Sequence, residues 1–265
     1  MRIVTYANTG LPDPRMGVRV GHRVLDVGTG SRVDGEPLPR TLRALLVEGR
    51  GAIARVHALA KAAQQNAGRF STAMLEERAV RFLPPIPDPG RFELVRCGKE
   101  EAESIASTTL VGHDANVAMP QGVASLGCKP YLVFVMSRGG SRLDPELDPA
   151  DHVAGVTFLH AFAGCAVAAL GPEMVTLDEV GDPEEIWITS AVNGHERLRR
   201  PARAHLEQLP AALARLTRAA PLEPGDLVAL ELPEESLVDI ELRGGDVVET
   251  SIGRITTLRT PIVAV

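Results

Sequence analysis

The chain reads as an α+β protein: a small N-terminal α/β lobe over residues 1–80, then a larger, mostly β domain over residues 81–265. Three observations predict this. Two short alternating runs and two amphipathic segments crowd into the first eighty residues. A proline-rich stretch at 82–90, FLPPIPDPG, then breaks the pattern. Beyond it, runs of Val, Leu and Ile recur with strand character, and only one helical stripe interrupts them.

Residues 2–7 (RIVTYA) and 17–27 (GVRVGHRVLDV) predict strands, the second folded at Gly21-His22 into a meander. Thr41 is placed to cap a short helix that ends at Glu48. A second helix is predicted over 52–65, because Ile53, Val56, Leu59 and Ala60 share one face at helical spacing. Four prolines in the nine residues 82–90 exclude helix and central strand, so this segment reads as a stiff, extended spacer. Strands are predicted at 92–95, 131–137, 153–159, 186–192, 227–232, 237–242 and 247–252. One helix is predicted at 204–219, with Leu206, Leu209, Leu213 and Leu216 as its stripe and Pro210 as a kink or a start. Gly225-Asp226 and Gly245-Asp246 mark turns between strands. The pattern points to a curved mixed sheet around a central cavity.

Composition narrows the function classes. Hydrophobic residues make up 45% and charged residues 23% of 265, as in a packed globular protein. Aromatics are 3%, so the core rests on aliphatic side chains. A net charge of -6 argues against nucleic acid and against an anionic membrane surface as partners. The opening MRIVTYANTG lacks the basic stretch and apolar run of a signal peptide. The weakly polar stretch 153–172 contains His160 and several small residues and is too broken to span a bilayer. Cys97, Cys128 and Cys165 cannot all pair and do not have zinc spacing, so a reducing cytoplasm is expected.

Several phrases, in order, carry a resemblance to a known family. They are MRIVTY, GVRVGHRVLDV, FLPPIPDPGR, DPADHVAGVTF, LGPEMVTLDEVGDPEE, WITSAVNGHERLR, LEPGDLVALELP and LRGGDVVETSIGRITTLRTPIV. Together the chain resembles the fumarylacetoacetate hydrolase family over nearly its whole length. The resemblance implies a small N-terminal domain, a larger mixed β-roll domain and a homodimer. It also implies cleavage, hydration, decarboxylation or isomerisation of small 2-oxo and 1,3-dicarbonyl acids around a divalent cation held by carboxylates.

The chain departs from that pattern where the chemistry should sit. By register against Gly139, Tyr131 and Val133 stand where the family has two metal-binding glutamates, and Ala161 stands at its aspartate. His160 replaces the preceding asparagine, and Ala102 replaces a catalytic histidine. The family's lysine-containing segment is deleted between Ala163 and Gly171, and its Thr-Gly-Thr-Pro turn is replaced by Leu230-Glu231-Leu232-Pro233. A hard divalent cation needs about six oxygen ligands with carboxylate charge among them. No catalytic metal and no other cofactor is therefore expected.

The polar residues that remain are the candidates. His160 has the titration range of a proton carrier, or is a histidine hydrogen-bonded within the sheet. Tyr131 can donate to an enolate oxygen, or fills the space a metal would take. Arg96 and Lys99 can bind a carboxylate or enolate, or belong to a solvated loop. Glu231 is a candidate base, or an outward strand carboxylate. Blander readings are preferred for His113-Asp114 (loop), Cys165 (small buried thiol), the acidic run at Glu100, Glu101 and Glu103 (solvated face) and the arginines 197, 199, 200 and 203 (solvated loop).

Two functions compete on this reading. One is a metal-independent enzyme acting on a small 1,3-dicarbonyl or 2-oxo acid through an enolate, as a hydrolase, lyase, isomerase or cyclase. The other is a catalytically inactive partner subunit or binding module for an active homologue. An ordinary metal-dependent member of the family is the remaining alternative.

Overall fold

The structure, a computed structural model, describes all residues except 9, 97–101, 183–185, 232–239, 254 and 265, together with the side chains of 11, 12, 204 and 205. A three-stranded meander opens the chain: β1 (Arg2–Asn8), β2 (Leu11–Val20) and β3 (Arg23–Asp26). Its second turn falls at Gly21, where φ is +60°, a conformation glycine adopts without a Cβ penalty. The predicted strand ends one residue early, because Asp26 caps a helix. Its carboxylate accepts from the Thr29 N–H, and α1 (Val27–Asp34) follows. Two glycines inside 27–34 hid this helix from the propensity pattern.

The two predicted helices form: α2 (Leu42–Glu48), with Thr41 Oγ1 accepting from the Ala44 N–H, and α3 (Arg50–Gln65), which buries Ala52, Val56, Leu59 and Ala63. The proline segment is more than a spacer. Arg81–Leu83 pairs with β1, Ile86 is buried in the core, and Thr5 Oγ1 donates to the Pro85 carbonyl. Prolines cannot donate to a ladder, so the pairing stops at Leu83.

The larger region then runs β4 (Phe92–Val95), β5 (Leu126–Met136), β6 (Val153–Phe162), β7 (Ala168–Thr176), β8 (Trp187–Val192) and β9 (His195–Pro201). After α4 (Arg203–Ala219) come β10 (Leu227–Leu230), β11 (Ile240–Leu242), β12 (Val247–Ile252) and β13 (Thr256–Val263). Strands β7, β9 and β13 were not among the predicted ones. The arginines 197, 199 and 200, read as a loop, lie on β9, and the Arg199 guanidinium stacks over the Trp187 ring at 5.1 Å. Pro210 lies within α4 rather than at its start.

One 13-stranded sheet carries the order β3-β2-β1-β7-β6-β5-β10-β4, with short strands along its edges. It is mixed: β10 and β4 run parallel, and the other pairs on this path are antiparallel. The β1–β7 ladder, with Ile3 opposite Met174, makes the N-terminal strands and the larger region one continuous sheet. β6 can lie close to β7 because position 155 is glycine; a Cβ there would sit 2.2 Å from the Val175 carbonyl oxygen. A second, five-stranded sheet contains β9-β8-β12-β13.

The large sheet has two buried faces. One packs on α1, α2 and α3 through Val27, Leu45, Leu46, Val56 and Leu59. The other packs on α4 and the second sheet through Leu213, Val192, Val248 and Leu258. Both faces being covered explains why β5, β6 and β7 read as continuous apolar runs rather than as clean alternations.

Candidate active site

The site grows from the antiparallel ladder of β5 and β6, where Lys129 pairs with Ala161, Tyr131 with Leu159 and Val133 with Thr157. Side chains alternate along each strand. Cys128, Leu132 and Phe134 of β5, with Phe158 and Phe162 of β6, face the second sheet. Tyr131, Val133 and Val135, with Leu159, face the helical side. At one end of the ladder that second face opens into a cavity of about 580 Å³, bounded by Arg96, Glu103, Lys129, Tyr131, Ala161 and Cys165 among others.

Arg96, Glu103, Lys129 and Tyr131 line it, and Glu231 pairs with Lys129 beside it. Lys129 Nζ lies 3.1 Å from Glu231 Oε1, and Glu231 is 5% exposed. Arg96 Nη2 lies 2.6 Å from Glu103 Oε2, with both groups facing solvent. Tyr131 is buried between these pairs and hydrogen-bonds to Arg96. Burial first, and then the Glu231 charge, hold its phenol well above the usual tyrosine range, while Arg96 acts in the opposite direction. Tyr131 therefore keeps its proton and acts as a hydrogen-bond donor. The backbone fixes the array: the Glu231 N–H donates to the Val95 carbonyl, and Glu103 pairs with Leu94 of β4.

The strand register corrects two sequence-based assignments. Val133 was placed at a carboxylate position facing the site, but it is a fully buried core residue. The β5 residues that line the cavity beside Ala161 are Lys129 and Tyr131. Lys129 was missed, although period-two alternation from Tyr131 pointed to it. His160 was the candidate proton carrier. As the neighbour of the cavity-lining Ala161, it must point to the opposite face. Its Nδ1 lies 2.9 Å from Thr260 Oγ1 and its Nε2 2.8 Å from Thr250 Oγ1, between the two sheets and out of reach of solvent. Burial lowers its pKa to about 3, so the ring is neutral. It ties the sheets together and does not face the cavity.

The other candidates divide similarly. Tyr131, Arg96 and Glu231 are brought together; Lys99 lies outside the described residues, as do Cys97, Glu100 and Glu101. Cys165 lines the cavity, but His160 points away, so no Cys–His pair forms. His113 borders a different cleft of about 1000 Å³, and its Nδ1 accepts from the Arg259 N–H.

Among the described residues, the cavity lining does not suit a hard divalent cation. Its charged lining is Lys129, Arg96 and Glu103; Glu103 pairs with Arg96, and Glu231 beside the cavity pairs with Lys129. Among the described residues, no group of three or more His, Cys, Asp and Glu side chains is placed to hold a metal ion. Among the same residues, no helix is long and apolar enough to cross a membrane.

Residues 158–263 match the family model described as fumarylacetoacetate (FAA) hydrolase, C-terminal. The chain is 22% identical to the oxaloacetate tautomerase fahd2 of Xenopus laevis, covering 99% of this chain and 90% of that one. It is 25% identical to the oxaloacetate tautomerase YisK of Bacillus subtilis, covering 86% and 88%. Its fold superposes on that of the maleylpyruvate hydrolase of Sphingobium sp. SYK-6, solved with manganese(II) and pyruvate. That match has a TM-score of 0.75 at 19% identity and covers 100% and 99% of the two chains. The C-terminal part of the chain thus matches the fumarylacetoacetate hydrolase model, and the whole chain shares the α+β fold of the maleylpyruvate hydrolase, without an obvious metal-binding cluster among its described residues.

Proposed function

We propose that this protein is a metal-independent enzyme acting on a small 2-oxo or 1,3-dicarbonyl acid through an enolate. The observation that carries this reading is that Tyr131 and Arg96 line one cavity together with Lys129, which Glu231 meets at 3.1 Å. Glu231, 3.1 Å from the Lys129 ammonium, accepts a proton from the carbon next to the substrate carbonyl. The C–H electron pair moves onto the carbonyl oxygen, where the Tyr131 hydroxyl donates a hydrogen bond to the new charge. Arg96 binds the substrate carboxylate in place of the exposed Glu103. Return of the proton to a different atom isomerises the substrate. If a carbon–carbon bond breaks instead, its electron pair passes into the enolate that Tyr131 receives, which is lyase chemistry; in a hydrolase, water adds first to the carbonyl carbon that departs as a carboxylic acid.

The two oxaloacetate tautomerase relatives make oxaloacetate the first substrate to try, followed by a panel of 2-oxo and 1,3-dicarbonyl acids. The test is conversion by the full chain after treatment with chelator, followed in the ultraviolet. Accelerated conversion that survives chelation is expected. Absence of acceleration on every compound would end the proposal.

A second reading, a catalytically inactive partner subunit or binding module, is favoured by the alanine at position 161 in the cavity wall. It predicts an inert lone chain that co-purifies with an active homologue. The working form is proposed to be a cytoplasmic homodimer or a heteromer with such a homologue, which light scattering on the purified protein tests.

A further inference from the structure

We propose that the Lys129 ammonium takes the place of a divalent cation in this cavity, as a built-in charge that receives the anionic oxygen of a bound oxo acid. The inference rests on the enolate reading above and adds to it a substrate class and a residue. Its starting point is a disagreement. A chain of the same fold is solved with manganese(II) and pyruvate, whereas this cavity presents an ammonium directly across the β5–β6 ladder from Ala161.

The geometry supports the exchange. Lys129 and Tyr131 sit two residues apart on the cavity face, so an oxygen anion between them receives one N–H and one O–H donor. Glu231 holds the ammonium at 3.1 Å, which fixes its position on the cavity wall. Among the described residues, Lys129 and Arg96 are the cations lining the site, each paired with a carboxylate, so a substrate carboxylate and an enolate oxygen meet one cation each.

The substitution has a chemical consequence. One positive charge polarises a carbonyl less than two do, so the substrate must bring an acidic C–H of its own. The site therefore selects oxo acids whose reacting carbon lies between two carbonyl or carboxylate groups, over simple 2-oxo acids with a single activating group.

Oxalate, a planar dianion with the shape of a 2-oxo enolate, is the probe. Calorimetric titration of the full chain is run with chelator and with added Mn²⁺, on wild type, Lys129→Met, Lys129→Gln and Lys129→Arg, each checked for folding by circular dichroism. The wild type is expected to bind oxalate equally under both conditions. The Met and Gln variants should bind about 10- to 100-fold more weakly, the loss of one charge-assisted hydrogen bond. The Arg variant should stay within about fivefold, since it keeps the charge.

Oxalate binding that requires Mn²⁺, or Met and Gln variants that bind as well as wild type, would overturn the proposal. The enolate reading survives that result if wild type still converts an oxo acid. A wild type that neither binds oxalate nor converts any oxo acid removes both.

Discussion

The two faces of the β5–β6 ladder put polar side chains to opposite uses. On one face, His160 is sealed between two sheets, neutral, with threonine hydroxyls on both ring nitrogens. On the other, one residue along, the ladder carries Lys129 and Tyr131 into a cavity, where Arg96 pairs with Glu103 and Lys129 with Glu231. The first arrangement satisfies every donor locally and leaves nothing to offer a ligand. The second leaves the Arg96–Glu103 pair at the edge of solvent, where the proposed reading has a substrate anion exchange with Glu103. A histidine is the usual first suspect for proton transfer, but face and burial decide the role, and residue type does not.

The sharpest way to break this contrast is a matched pair of variants. Tyr131→Phe removes the oxyanion donor and should lower kcat about 100- to 1000-fold, with folding intact. His160→Leu should leave kcat per folded molecule within about threefold. A large kcat loss in the leucine variant would return His160 to the chemistry. The same variant should cost stability, about 1–3 kcal/mol for each hydroxyl left without a partner, read as a lower denaturant midpoint. Thr250 is partly protected because it also meets Ser190 Oγ at 2.8 Å.

A pH series sharpens the contrast further. In the unfolded chain His160 takes up a proton below about pH 6.5, while burial in the fold delays uptake to about pH 3. The unfolded state then holds the extra proton through that window. The stability from a neutral His160 is complete above about pH 6.5 and lost on acidification, by at most about 1.4 kcal/mol per pH unit. Thermal melts of wild type and His160→Leu should diverge as pH rises from 4 towards 6.5 if this is right, and run parallel if it is not. The smallest effect belongs to the exposed pair: Glu103→Gln should change stability by less than about 1 kcal/mol, since solvent screens it.

Much of the fold was legible from residue order. The Thr41 cap, the Gly21 turn, the face of α3 and the strands at 92–95 and 247–252 all follow from local chemistry. The missed pieces have identifiable reasons. α1 contains two glycines, and β7 contains a Gly-Pro step that argues against a strand. β9 carries three arginines in seven residues, which mimics a solvated loop until Trp187 gives one of them a platform. At the site, Tyr131, Arg96 and Glu231 were visible, whereas Lys129 was hidden by a register counted two residues too far along β5.

The amino-acid order by itself determined most of the elements and the resemblance to a family whose acidic ligands it does not repeat, because these depend on side-chain chemistry and local spacing. It could not determine which side of a two-sided sheet each polar residue occupies. With both faces covered, the strands of the ladder are mostly apolar on both sides, so hydrophobic alternation carries no sign of direction. Only the pairing of β5 with β6, and the packing of the second sheet against one of their faces, sent His160 into the interior and Lys129 into the cavity.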